Sequence, residues 1–216
     1  MAIPNHNIQL PYSIARCLIQ QADVLLFRHG KFPDVGWFIG QYTRSPYSHT
    51  GLAHWEGDKL YCIEFREFKG SRHYPLSKYI RAGYKIDVFR PCLSATYPIM
   101  NKDEKDLQVL QETKNFTPNT ANAIIDTAHD LLGESYSYWA IWQMFKLYIP
   151  FVRFFVKQKN LEKNGEIDPK SFVCSTLVTF SYRKHFIDPI PFLPDSYTTP
   201  GDLARSQLFH KLFEIR

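Results

Sequence analysis

The sequence lacks the features that define several large classes of protein. Its four cysteines are scattered and form no C-x-x-C pair, which argues against a disulfide framework and a zinc ribbon. No stretch approaches the roughly 18 uncharged apolar residues of a membrane-spanning helix. Residues 1–10 carry no basic segment followed by an apolar run, so no signal peptide is predicted. We therefore expect reduced thiols and a cytoplasmic location by default, with delivery to the cell envelope by another route left open.

The net charge of the chain is small, and its glycine and proline contents are ordinary. The net charge is +5, and the ten glycines and 14 prolines are close to average usage, so collagen-like and low-complexity classes are excluded. Apolar residues make up 44% of the chain, enough to bury a core. We expect a single domain over residues 1–216.

Aromatic residues are over-represented, at 16% of the chain, and they concentrate in residues 138–156. Basic residues such as Lys146 and Arg153 interleave with the rings. The segment is part of a predicted helical insert at about 135–170. One interpretation is a helical cover over the core. The other is an amphipathic pair of helices that contacts a membrane surface or an acyl chain. A nucleic-acid partner is not expected, because the net charge is small and no arginine stripe is present.

The order of predicted elements favours an α+β fold. Strand patterns precede most helical patterns instead of alternating with them, which is typical of an antiparallel sheet with segregated helices. The predicted strands are residues 22–28, 49–55, 60–66 and 84–90, and the predicted helices are residues 11–21, 120–133, 171–184 and a short one starting at Thr199.

Among the cysteines, Cys174 is the best candidate for a nucleophile. The polar loop before it ends at Ser171, a plausible helix cap, which places Cys174 in the first helical turn, where the helix dipole favours a thiolate. Cys17 lies on the apolar face of a predicted helix with Ile14, which favours a small core residue. Cys62 falls inside a strand, and Cys92 follows a strand end with nothing to activate it.

A predicted hairpin supplies a base for this thiol. With Gly57 and Asp58 as its turn, Trp55 faces Leu60 and Gly51 faces Glu64. His49 and Glu64 then share one face as diagonal neighbours, within side-chain reach. A carboxylate that orients an imidazole, which in turn deprotonates a thiol, is the logic of a catalytic triad.

The remaining histidines show no such pairing. His54 lies on the opposite face of its strand from His49, His129 lies on the polar side of its helix, and no partner can be argued for His73. A metal site made of the three triad candidates would match no zinc-binding spacing, so no metal and no cofactor are predicted.

Four segments resemble the circularly permuted papain-like hydrolases, the branch of the NlpC-type cysteine peptidase superfamily that includes lecithin:retinol acyltransferase-like proteins. They are Ala22-Asp23-Val24-Leu25-Leu26, Thr43-Arg44-Ser45-Pro46-Tyr47-Ser48-His49-Thr50-Gly51, Phe172-Val173-Cys174-Ser175-Thr176-Leu177-Val178 and Tyr197-Thr198-Thr199-Pro200-Gly201-Asp202-Leu203. Ala22 stands where the family usually has glycine, and His49 precedes Cys174, which is the order the permutation produces.

The resemblance implies a permuted papain-like fold whose antiparallel sheet packs against the helix that carries the nucleophile. It implies a thiol hydrolase with Cys174 as nucleophile, His49 as base and Glu64 as orienting carboxylate. By position it adds substrate-binding residues, namely Tyr47, Ser48, Ser175 and Tyr197. Our first expectation is cleavage of an amide in a cell-wall peptide. The alternatives are a lipid acyl hydrolase or acyltransferase at a membrane surface, and a binding module that kept the pocket without catalysis.

Overall fold

The protein is a mixed α/β structure around a seven-stranded sheet. The computed structural model describes residues 8–30, 40–41, 43–66, 69–92, 94–100, 109–133, 173–190, 193, 195 and 198–216. The strands of these ranges are β1 (Gln9–Leu10), β2 (Val24–Arg28), β3 (Tyr47–Glu56), β4 (Lys59–Arg66), β5 (Gly70–Pro75), β6 (Ile86–Pro91), β7 (Ser94–Met100), β8 (Val109–Asn115) and β9 (Phe209–Ile215). The helices are α1 (Tyr12–Leu18), α2 (Leu76–Arg81), α3 (Pro118–Asp130), α4 (Cys174–Arg183) and α5 (Pro200–Arg205).

The large sheet is antiparallel except at one edge. Its strand order is β1-β9-β6-β2-β3-β4-β5, and only the pair β1 and β9 is parallel among its neighbours. Strands β7 and β8 form a separate antiparallel pair. The β3–β4 hairpin has the predicted register, with Trp55 opposite Leu60 and Leu52 opposite Ile63, and Gly57 takes the positive φ of 58° that its tight turn requires.

Helices cover both faces of the sheet, so its central strands are buried on both sides. On one face, α3, α4 and α5 pack through Ile124, Leu177 and Leu203 against Leu26 and Leu52. On the other face, α1 and α2 pack against the side chains that alternate with these, including Phe27 and Cys62. Burial on both faces explains why β2 is a continuous apolar run and not an alternating one.

Two helix predictions are confirmed in detail. Helix α3 buries the predicted stripe of Ala121, Ile124, Ile125 and Ala128, although it begins earlier than predicted, after the cap Thr117. Helix α5 begins with a capping box, in which Thr199 and Asp202 each accept a hydrogen bond from the backbone N–H of the other.

The predicted inner face of α1 is wrong. Cys17 is exposed, and Ile14 and Leu18 are 52% and 48% exposed, whereas Ala15 and Ile19 are buried. The helix has only seven residues and is anchored by its small Ala15, so its larger apolar side chains point outwards. Cys17 is therefore not a core residue.

The Ala22-Asp23 segment before β2 is held by specific contacts. Asp23 is buried, and both of its carboxylate oxygens accept hydrogen bonds from the Arg90 guanidinium, at 2.9 and 2.8 Å. Ala22 has a φ of 63°, in the left-handed region that favours glycine. This backbone conformation gives a physical reason for the glycine that the resembling family usually carries at this position.

Candidate active site

A buried imidazole–carboxylate pair lies on neighbouring strands of the sheet. His49 on β3 and Glu64 on β4 share the sheet face predicted from the hairpin, and His49 Nε2 lies 2.6 Å from Glu64 Oε2. The Glu64 side chain has no exposed surface, and that of His49 is 6% exposed. Gly51 makes room for the pair, because a Cβ at this position would lie 2.4 Å from Cys62 Sγ and 3.2 Å from Glu64 Cβ.

Arg72 and Tyr79 complete the surroundings of Glu64. Arg72 stands directly opposite Glu64 on β5, and its Nε donates to Glu64 Oε1 at 2.7 Å. The hydroxyl of Tyr79, on α2, donates to the same oxygen and contacts the Arg72 guanidinium. Both carboxylate oxygens are thus engaged, as the burial of a charged group requires.

These contacts stabilise the charged forms of both members of the pair. Burial alone would lower the pKa of His49, but the charge of Glu64 and the Cys174 side chain raise it to about 9. Burial alone would raise the pKa of Glu64, but His49, Tyr79 and Arg72 lower it to about 2. The stabilisation from His49 is therefore complete below its ordinary pKa of 6.5 and is lost as the pH rises through about 9. The stabilisation from Glu64 is complete above its ordinary pKa of 4.5 and is lost as the pH falls through about 2.

Cys174 is the first residue of α4, and its side chain acts on the His49 ring. The helix begins two residues later than a Ser171 cap would place it: its N-cap is Val173, which offers no side-chain oxygen, and Ser171 lies outside the described residues. Cys174 is 6% exposed, and its side chain lies close enough to the imidazole to raise the pKa of His49. The nitrogen left for it is Nδ1, which is buried and has no partner at full hydrogen-bond geometry.

The other cysteines do not compete for this role. Cys62 is fully buried on the same sheet face as Glu64, and burial together with the negative charge of Glu64 raises the pKa of its thiol well above the ordinary value. Cys92 directly follows β6, and its Sγ lies 3.8 Å from His210 Nδ1. Of the described thiols, only Cys174 adjoins an imidazole that is itself held by a carboxylate.

The structure changes the interpretation of the predicted substrate-binding residues. A β-bulge pairs Phe27 with His49 but Arg28 with Tyr47, which leaves Ser48 as the extra, half-buried residue. Tyr47 is thereby turned into the core, where its hydroxyl donates to Asp87 at 2.6 Å, so it offers no free polar group to a substrate.

Ser175 is likewise engaged inside the protein. It is fully buried, and its hydroxyl donates to the backbone carbonyl of Thr198, just before α5. Its role in the fold is to tie the helix that carries Cys174 to the Thr198–Asp202 segment. Tyr197 lies outside the described residues, as does the aromatic segment 138–156.

Arg72 and Tyr79 were not found from the sequence. To predict the contact between Arg72 and Glu64, the register between β4 and β5 would have to be known, because the two residues meet only through the pairing of these strands. The sequence between β4 and β5, residues 67–69, carries no two-residue turn signal, so the register of β5 has no local marker, and α2 follows β5 directly at Leu76. The signal that could have suggested Arg72 is a residue of opposite charge that faces Glu64 from the next strand.

Replacing Glu64 by Gln is expected to move the alkaline limb of the activity profile towards lower pH. Without the carboxylate charge, burial prevails and lowers the pKa of His49. The measurement is the pH profile of kcat/KM, with Glu56→Gln as a control because Glu56 is an exposed carboxylate at the end of β3. An alkaline limb that stays in place in Glu64→Gln would contradict the pairing of these two groups during the reaction.

The fold has a counterpart among solved structures. No protein-family profile and no curated protein matches the sequence. The chain is similar to the crystal structure of the metalloprotein yiiX from Escherichia coli O157:H7, DUF1105, with a TM-score of 0.55 and 14% identity over 89% of this chain and 96% of that one. At this identity the similarity concerns the fold alone. In the described part of the chain, no helix is long and apolar enough to cross a membrane.

Proposed function

We propose that this chain is a thiol-dependent hydrolase that cleaves an amide bond through an acyl-enzyme on Cys174. The observation that carries the proposal is the position of the buried His49 ring, bonded to Glu64 through Nε2 and adjoined by the Cys174 thiol. Glu64 keeps its charge behind the ring, with its pKa lowered to about 2, and this charge stabilises the imidazolium that forms when the thiol loses its proton. Titratable groups with strongly shifted pKa values that cluster around a nucleophile are typical of catalytic sites.

The reaction would proceed in two steps. In the active form the proton of the Cys174 thiol rests on His49 Nδ1, and Sγ attacks the carbonyl carbon to form a tetrahedral intermediate. The imidazolium then protonates the leaving amine as the C–N bond breaks, and a thioester remains on Cys174. Water, deprotonated by His49, hydrolyses the thioester and releases the acid. Glu64 holds the ring and stabilises its charged form, and the backbone N–H of Cys174, at a helix start without intrahelical acceptors, is available to the oxyanion.

The contacts among the last three of the four resembling segments support a permuted papain-like arrangement. The second and third segments meet through His49 and Cys174, and the third and fourth through Ser175 and Thr198. Gly201 of the fourth segment approaches Ser45 of the second so closely that a Cβ would lie 2.6 Å from Ser45 Cβ. The segments thus surround one site although they are far apart in the chain.

A peptide amide of the bacterial cell wall is the substrate class we propose first. The test is to incubate the protein with muropeptides and, separately, with phospholipids, and to search for new products by mass spectrometry, with Cys174→Ala as the matched blank. New free carboxyl groups in the muropeptides, absent from the blank, support peptide cleavage. Products from neither substrate class, with the wild type equal to the blank, would favour a binding module instead.

The aromatic segment 138–156 separates the lipid alternative from the peptide one. If it contacts lipid, the fluorescence of Trp139 or Trp142 should shift to the blue on addition of anionic vesicles, and salt should weaken the response, because Lys146 and Arg153 would draw the segment to the surface. If the segment covers the core, vesicles should change nothing. The peptide proposal predicts no shift, with Trp139→Phe and Trp142→Phe used to assign any signal.

A further inference from the structure

Three histidines from separate elements meet on the sheet face opposite His49 and Glu64, the face that α3 and α4 cover. They are His54 on β3, His73 on β5 and His129 in the last turn of α3. One ring nitrogen from each lies within 4.8 Å of the other two. The ring centroids are 4.6 to 5.3 Å apart.

The strand registers explain why these residues come together. His54 stands opposite Tyr61, and His73 stands opposite Ile63, one of the side chains that pack towards α3 and α4. Side chains alternate along each strand, so His54, Tyr61 and His73 point to the face covered by α3. His49 and Glu64 belong to the other face, and the two sites are therefore distinct.

The histidine cluster has a buried ring nitrogen that no group of the described protein engages. His73 Nε2 is buried and has no hydrogen-bond partner, a costly state for a polar atom. The Tyr61 ring lies over His73 with centroids 3.9 Å apart and supplies an apolar wall but no hydrogen-bond partner to that nitrogen. A bound cation would satisfy this nitrogen, whereas simple packing of three rings would not.

We propose that His54, His73 and His129 bind a divalent transition-metal ion of the zinc class. Imidazole nitrogens are preferred ligands of such ions, and three of them with an open fourth position is a known zinc arrangement. Tetrahedral zinc with bonds of about 2.0–2.1 Å places its ligands about 3.3 Å apart, so the nitrogens must approach by about 1.5 Å at most, which side-chain rotation can provide. The carboxylates of Glu56 and Asp126 are close enough to act on His54 and add negative charge beside the neutral ligands.

Gln21 controls the orientation of His54. Its amide oxygen accepts from the Trp55 N–H at 2.8 Å, so its amide nitrogen is the group that lies 3.1 Å from His54 Nδ1 and donates to it. In this arrangement the His54 proton lies on Nε2, so metal binding at Nε2 moves the proton to Nδ1 and breaks the hydrogen bond from Gln21, because a histidine that binds metal through Nε2 carries its proton on Nδ1 and needs an acceptor there. Gln21→Glu would supply one while keeping an oxygen for Trp55, and it should therefore tighten metal binding.

The experiment is titration of the untagged protein, freed of metal by chelation, with Zn²⁺ in a calorimeter and with Co²⁺ in a visible-absorption spectrometer. The variants are His73→Ala, His129→Ala and Gln21→Glu. The matched controls are His185→Ala, a half-buried histidine that bonds to Thr127 of the same helix α3 but lies outside the cluster, and Cys174→Ala.

We expect one ion per wild-type chain, a loss of affinity of about 100-fold or more in His73→Ala and His129→Ala, and a gain of about tenfold in Gln21→Glu. Both controls should bind as the wild type does. The gain in Gln21→Glu cannot arise from misfolding, so it tests the site even if an alanine variant is unstable. Absence of stoichiometric binding, unchanged affinity in the alanine variants, or loss of binding in Cys174→Ala would overturn the proposal.

Discussion

Cys174→Ala is expected to abolish turnover, with a loss of at least about 10⁴-fold in kcat, while the protein stays folded. The thiolate is the attacking atom, and no other described cysteine adjoins the His49 imidazole, so nothing can replace it. Alanine is a good residue for the start of a helix and removes only one atom from the first turn of α4, so the cost in stability should be about 1 kcal/mol. The measurement is steady-state turnover beside a thermal unfolding curve.

Cys17→Ala is the matched control for the loss of a thiol. Cys17 is exposed on the outer face of α1, so its replacement should change neither turnover nor the unfolding temperature. Full activity in Cys174→Ala, or loss of activity in Cys17→Ala, would remove Cys174 from the role of nucleophile.

His49→Ala is expected to lower kcat by about 10² to 10⁴-fold through loss of the general base. Glu64 would keep its bonds to Arg72 and Tyr79, so it would not become an unpaired buried charge, and the fold should survive. The truncation leaves a cavity the size of the ring beside Cys174, so added imidazole should restore part of the activity. The measurement is kcat in the presence and absence of imidazole.

His185→Ala serves as the control for this variant, because it removes a half-buried histidine that takes no part in the proposed reaction. Its activity should match that of the wild type and should not respond to imidazole. Wild-type activity in His49→Ala would show that the ring is only a structural partner of Glu64.

The part of the site that could be predicted from the sequence is the part set by a short turn. Gly57 and Asp58 form a two-residue connection, which leaves one register for β3 and β4 and so determines which side chains share a face. His49 and Glu64 follow from this register and from the alternation of side chains. The helix of Cys174 could be predicted from a different local signal, because its apolar positions Leu177, Val178 and Tyr182 repeat with helical spacing.

The rest depended on contacts between distant segments. Tyr47 enters the core because a bulge inserts Ser48 into β3, and no local pattern marks a bulge. The exposed face of α1 could not be predicted either, since a seven-residue helix with a mixed surface is oriented by what it packs against. Arg72 and His73 required the register of β5, which has no turn signal of its own.

The central claim is that acyl transfer passes through Cys174, and the direct measurement is mass spectrometry of the intact protein quenched during turnover. The protein should gain the mass of the acyl part of the substrate, and peptide mapping should place that mass on Cys174 as a thioester released by hydroxylamine. Cys174→Ala should show no adduct. Turnover without any adduct in the wild type, or an adduct on Cys62 or Cys92 in its place, would contradict the account.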